Sequence, residues 1–209
     1  RVAGRLADVG DHARSALALL TDAGIDWAEV QAIDILVDTI DPTADPTRAR
    51  RLATQGLALC RRNHLPELEG RMLLQLGVAA HADGDTALAR AYLADAVELI
   101  AQSGDRLSLG FALLVAGEQA LERGELASAR THLARARQLL ADTGMPYGSA
   151  RAALELGRAE LALGDRERAA ALASEALRLD DALEDHDLTA KIRELVTATH
   201  PVDVHVGPD

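Results

Sequence analysis

The sequence predicts an all-α chain, a solenoid of antiparallel helix pairs, and three observations carry that reading. Four stretches repeat one another at a spacing of forty residues. Turn glycines fall at Gly84, Gly124 and Gly164, with Ala44 one period earlier, and each is followed by an acid: Asp45, Asp85, Glu125 and Asp165. Upstream, Leu36-Val37, Leu76-Gly77, Ala116-Gly117 and Leu156-Gly157 align. Downstream come Ala49, Ala89, Ala129 and Ala169, then Gly56, Ala96, Ala136 and Ala176, then Leu59, Leu99, Leu139 and Leu179. Such a period marks units too small to bury an apolar face alone, so they stack on their neighbours. The second observation is composition: 48% hydrophobic residues but only 2% aromatics, with abundant alanine, favours closely packed helices over strands. The third is apolar spacing in steps of three and four, the mark of helices buried on one side.

Element by element, residues 1–25 read as a partial repeat marked by Gly4, Ala16, Leu20 and Ala23. Full repeats follow at 26–65, 66–105, 106–145 and 146–183. Within the second, Leu68 to Ala82 carries Leu73, Leu74, Leu76, Gly77 and Ala80 on one face, and Thr86 to Gln102 carries Leu88, Tyr92, Leu93, Ala96, Leu99 and Ile100. Between them, Gly84 can take positive φ and Asp85 can accept hydrogen bonds from the N–H groups opening the next helix. Asp45-Pro46 serves the first repeat, with proline at the first helical position, and Pro146 opens the fourth. Ser103-Gly104 and Thr143-Gly144 end second helices. Small residues at columns 77, 117, 157 and 89, 129, 169 let paired helices touch while Leu93 and Leu133 fill the gaps, so a bulky residue at Ala129 should overpack the contact. Residues 185–199 show Leu188, Ile192, Leu195 and Val196 on one face of a capping helix, and 200–209 read as a flexible tail toward an absent domain.

A formal charge of −11, with Lys191 the only lysine and no cationic run, points away from nucleic acid. The single cysteine, Cys60, permits no intrachain disulfide and fits a reducing cytoplasm. No run approaches the roughly 20 apolar residues that span a bilayer. Lacking an initial methionine and an apolar leader, the sequence is expected to be a piece of a longer protein.

Leu76-Gly77 followed by Ala89, Leu93 and Ala96 resembles the tetratricopeptide repeat, with Leu-Gly in its first helix and Ala, large apolar, Ala in its second. Ala116-Gly117, Ala129, Leu133 and Ala136 repeat it; Leu156-Gly157, Ala169, Ala173 and Ala176 depart at Ala173; and an earlier copy reads Leu36-Val37, Ala49, Ala53, Gly56. The resemblance covers residues 1–182. The usual tetratricopeptide period is about 34 residues, and its first-helix aromatics and late proline are missing here. Forty-residue units look like the variant in MalT-like and LuxR-type bacterial transcription regulators and in multidomain proteins that join such repeats to ATPase or caspase-like domains. HEAT-type repeats share the length, but the Gly/Ala spacing favours the tetratricopeptide. The resemblance implies a right-handed superhelix of about four full repeats plus the partial repeat and the cap.

Candidate chemistry is sparse. A Walker loop needs a glycine loop ending in lysine, and neither it nor G-x-G-x-x-G occurs. His12, His64, His81, His132, His186, His200 and His205 form no metal pattern with Cys60, which reads as a buried inert thiol. Asp185-His186-Asp187 reads as solvated acids opening a helix. Asp34, Asp38 and Asp41 share one side of the first full hairpin, either as an acidic patch for a basic peptide or cation or as a screened polar face. No cofactor, metal or catalytic residue is expected.

The resemblance also places ligands on the concave side, lined by first helices. The residues expected there are Gln31, Asp34 and Asp38; Arg71, Leu74, Val78 and His81; Phe111, Leu114, Glu118 and Glu122; and Arg151, Leu154 and Arg158. That lining runs from an acidic end through an apolar middle at Phe111 to an arginine end, where Arg151 either grips a ligand or pairs with Glu155 four residues on. The function expected is a non-catalytic scaffold for a protein or peptide, the interaction or sensor segment of a larger bacterial regulator. The alternative is a small-ligand-sensing module controlling an absent ATPase, DNA-binding or protease-like domain. No direct nucleic-acid contact and no membrane are expected; the array ends and the exposed side of Trp27 are compatible with a homodimer.

Overall fold

Helix starts recur every forty residues at Asp26, Pro66, Arg106, Pro146 and His186 in the computed structural model, which describes residues 2–40, 45–180 and 185–199, the backbone alone for 2–7. The described residues form ten helices and no strand: α1 (Val2–Ala23), α2 (Asp26–Asp38), α3 (Pro46–Arg62), α4 (Pro66–Ala82), α5 (Thr86–Ser103), α6 (Arg106–Glu122), α7 (Leu126–Asp142), α8 (Pro146–Ala162), α9 (Arg166–Asp180) and α10 (His186–Thr199). Contacts divide the chain into two compact units, residues 1–108 and 109–209. In the first unit α1 packs on α2, α2 on α3, α3 on α4 and α4 on α5, and α2 also touches α4; in the second α7 packs on α8, α8 on α9 and α9 on α10, and α8 also touches α10. Ala44, Asp41 and the tail from His200 lie outside the described residues.

The turns follow from local chemistry. Gly84, Gly124 and Gly164 have φ of 81°, 74° and 90°, a region closed to most side chains. Beyond each, the N–H of Asp85, Glu125 and Asp165 donates to the carbonyls of Ala80, Ala120 and Glu160, all at 2.9 Å, closing the preceding helix. Three of the four acids then cap the next helix: the N–H groups of Arg48, Leu88 and Arg168 donate to Asp45, Asp85 and Asp165 at 3.0 Å. Glu125 departs from this expectation. Its longer side chain makes no cap bond and instead accepts from Arg123 Nε and Nη2, each at 3.0 Å. At the connections between repeats, Gly24, Gly104 and Gly144 have φ of 68°, 79° and 71°, and in the same column stands His64, with φ of 55°.

Paired helices interlock by size. A Cβ on Gly77 would lie 2.8 Å from Leu93 Cγ, and one on Gly117 would lie 2.5 Å from Leu133 Cγ, both closer than such atoms approach. Ala89 and Ala129, in the facing column, are fully buried, as is Leu133. A second column escaped the sequence reading: a Cβ on Gly70 would meet Ile100 Cγ1 at 2.7 Å, and one on Gly110 would meet Leu140 Cδ2 at 2.9 Å.

The last repeat, where Ala173 replaces the large residue, is completed from outside. Leu195 of α10 fills the space, with its Cδ2 2.7 Å from where a Cβ on Gly157 would stand. Asp180, in the column of Ile100 and Leu140, is buried and accepts from Thr189 Oγ1 of α10 at 2.5 Å. Thus α10 starts forty residues after α8 and fills the place of a further first helix, so the period continues past the point where the sequence pattern fades.

Two stability effects are expected. Gly117→Ala should cost about 1–3 kcal/mol by overpacking, and adding Leu133→Ala should cost less than it does in the wild-type chain; additive urea-denaturation energies would remove the interlock. His64→Gly should raise stability by about 1 kcal/mol, the penalty of a side chain in the left-handed region, and an unchanged or lower urea midpoint would contradict it.

Candidate functional site

In the first unit, α2 and α4 bring one charged row against the next. Asp34 is 3% exposed and forms an ion pair with Arg71. Asp38 accepts from Gln75 Nε2 at 2.5 Å. Both contacts join residues 37 apart, a spacing that adjacent repeats bring together. Of the three aspartates read as a patch or a screened face, Asp34 is a buried strut under Arg71, Asp38 is exposed with the neutral Gln75 amide as its partner, and Asp41 lies outside the described residues. Asp34 Oδ1 has no hydrogen-bond partner, and burial pushes its carboxyl up to about 6 against the opposing Arg71 charge, with the Asp38 charge adding to the rise. Desolvation likewise raises Asp38 against Arg71 and the Gln75 hydrogen bond. Gln31 is exposed, while Leu74, Val78 and His81 are half-buried. Cys60 is fully buried, and its thiol is pushed up to about 12 by burial first and then by the Glu69 and Asp34 charges. No group of three His, Cys, Asp or Glu among the described residues is placed to hold a metal ion.

In the second unit α6, α8 and α10 enclose a cleft of about 430 Å³. It brings together Glu118, Glu122, Arg151, Leu154 and Arg158 of the expected residues. Arg151 does not take Glu155. Its Nε and Nη2 donate to the two oxygens of Glu118 at 2.6 and 2.7 Å, crossing from α8 to α6. Glu155 instead pairs with Arg158 Nη1 at 3.0 Å, and Glu194 of α10 lies 4.0 Å from Arg158 Nη2. Lys191 Nζ donates to Asp187 at 2.6 Å.

Burial works against both charges of the bridging pair. For Arg151 the charge and hydrogen bonds of Glu118 outweigh it; for Glu118 burial, with the Glu155 and Glu122 charges adding, outweighs Arg151 and raises the carboxyl. The two short parallel hydrogen bonds decide the state: this is a charged, bidentate clasp.

Two expected residues lie elsewhere. Leu114 is fully buried in the core and presents nothing to a partner. Phe111 is half-buried against the start of α8, its Cε1 3.3 Å from where a Cβ on Gly148 would stand, and it does not line the cleft. Leu154, 1% exposed, forms the cleft floor. Sequence reasoning missed Leu121, Tyr147, Glu155, Asp187, Leu188 and Lys191. For Lys191 the signal was present: it follows Gln31, Arg71, Phe111 and Arg151 at the same forty-residue step, but the step was not carried past α8.

No protein-family model and no curated protein matches the chain. Solved structures do. BtubC (BKLC) from P. vanneervenii is similar at TM-score 0.74 and 16% identity over 94% of this chain and 81% of that one. The nearly identical TPR-like repeats of a kinesin light chain-like protein from Podosopora anserina match in two crystal structures, at TM-scores 0.59 and 0.58. Identity is 16% in both, over 95% and 94% of this chain and 86% of each of those. The fold is tetratricopeptide-like. In such an array α2, α4, α6, α8 and α10 are the first helices, and the charged rows and the cleft lie on them.

Because the folded chain holds a proton on Asp34 up to about pH 6, above the ordinary carboxyl value of 3.8, its contribution to stability is fully present below the ordinary value and is lost as pH rises through about 6. Asp34→Asn should therefore remove part of the gain in thermal stability on acidifying from pH 7.5 to pH 5. Equal shifts in melting temperature for variant and wild type would refute it.

Proposed function

We propose that this chain is a non-catalytic helical-repeat scaffold that holds a protein or peptide against its first helices. We place it as the interaction or sensor segment of a larger bacterial regulatory protein, of the kind that carries forty-residue tetratricopeptide variants. The observation that carries the reading is the cleft of α6, α8 and α10, where the accessible apolar side chains of Leu121 and Tyr147 stand among charged side chains from three helices. Charged walls of this kind recognise by charge complementarity, which selects partner and register. Six of the cleft's charged groups are engaged in ion pairs with one another, Arg151–Glu118, Arg158–Glu155 and Lys191–Asp187, and the one thiol is buried and held protonated far above neutral pH. A net charge of −11 disfavours nucleic acid. No described helix is long and apolar enough to cross a membrane.

A second reading, a small-ligand sensor, is favoured by the cleft's volume of about 430 Å³, within the usual range of ligand pockets. Its charged lining suits a polar ligand. Soluble metabolite mixtures that raise the melting temperature without any protein partner would favour this reading.

For the scaffold, Arg158→Ala should weaken a captured partner about tenfold, or about 1.4 kcal/mol, in calorimetric titration, whereas Arg130→Ala, exposed on α7, should not. Undiminished affinity for Arg158→Ala would remove the cleft from the binding surface.

A further inference from the structure

Helices α1 and α10 are each one half of a repeat. α10 takes the place of a first helix, and α1, which precedes α2, takes the place of a second one. The face by which a second helix meets the first helix of its own repeat is open on α1. In the column of Ala49, Ala89, Ala129 and Ala169, none more than 2% exposed, stands Val9 at 44%. In the column of Leu59, Leu99, Leu139 and Leu179, all buried or half-buried, stands Leu19 at 72%. Leu20 is half-buried where Ile100 and Leu140 are fully enclosed.

α10 has the converse face open. Ala190, Arg193 and Thr197 are exposed, in three columns that α2, α4, α6 and α8 all bury. The two faces match by size in the register of an intact repeat. Leu99 and Ile100 seat against Gly70, and Leu139 and Leu140 against Gly110; at the same positions Leu19 and Leu20 would seat against the small Ala190. Val37 and Ala53 fill another pair of columns in the first repeat, both buried, and there Thr197, of valine's shape, would meet Ala13. Two residues fit less well. Val9 is bulkier than the alanine of its column, and Arg193 stands where Ile33, Leu73 and Leu113 are buried, so it must lay its stem along the contact to keep its guanidinium in water. Both loosen the contact and leave it dependent on concentration.

We infer that a second copy of this chain covers α1 with its own α10, so that two half-repeats make one whole repeat and copies add head to tail. The contact is heterologous: each copy that joins brings a further free α1 or α10, and growth does not stop at a pair.

The test is sedimentation velocity of the full chain over a wide range of concentrations, for wild type, Leu19→Glu, Ala190→Glu and Arg193→Leu. Leu19, Ala190 and Arg193 are exposed, so the fold of the single chain is expected to survive, which circular dichroism checks. Wild type is expected to grow past a dimer as concentration rises. Either glutamate should weaken association about tenfold, and Arg193→Leu should strengthen it. Mixing the two glutamate variants joins an intact α10 to an intact α1 and should give a one-to-one pair that grows no further. A chain that stays monomeric at every concentration, even with Arg193→Leu, would overturn the inference and leave α1 to a partner of another sequence. A dimer that never grows, or association that neither glutamate weakens, would overturn it too.

Discussion

The architecture rests on the meeting of a residue without a side chain and a leucine one helix away. Gly77 against Leu93 and Gly117 against Leu133 let two helices approach until the leucine fills the groove that the glycine leaves. Neither residue achieves this alone: a Cβ at the glycine would collide, and a small residue opposite would leave a void. Where the pairing changes, compensation is visible. In the first repeat the sizes are exchanged, Val37 on α2 and Ala53 on α3, and both are buried. In the last repeat both positions are small, and Leu195 arrives from α10. The cap is thus held by a missing volume in the repeat it covers, and by Asp180, whose carboxylate in an otherwise apolar column binds Thr189.

Charge follows from this packing. Once first helices lie side by side, their polar rows face one another, and the fold ties neighbouring repeats with Arg71–Asp34 in one unit and Arg151–Glu118 in the other, while Arg137–Glu175 ties the second helices α7 and α9. A chain carrying 33 acids to 22 lysines and arginines spends many of its cations in this way. Other pairs, Arg158–Glu155 on α8 and Lys191–Asp187 on α10, lie within a single turn of one helix. In the cleft α10 supplies a third wall, with Lys191 held by Asp187 of its own helix and Glu194 lying 4.0 Å from Arg158 of α8.

The legible part of the sequence was whatever repeats locally. Helix starts, the glycines at positive φ, the aspartate caps and the small columns depend on residues within a turn of one another or at one fixed offset, so a single period exposes them. Glu125 escaped because an acid of either length satisfies the pattern, while only aspartate has the reach that a cap requires. The column of Gly70 and Gly110 escaped because Val30 and Ala150 break it at either end. Leu114 was placed on the binding face by counting, but side chains one turn apart on a narrow helix face can point to core or to solvent, and packing sent this one inward.

By itself, then, the sequence determined the repeat, its helices and which residues could pair by size, because these are matters of short-range sterics and backbone hydrogen bonding. Tertiary structure alone decided which carboxylate each arginine takes. Glu155 lies four residues from Arg151 and Glu118 lies 33 away, and the choice turns on how closely α6 and α8 approach and how far the pair is withdrawn from water. The cleft likewise exists only because α10 occupies the next first-helix position, brought there by a volume that its own sequence does not contain.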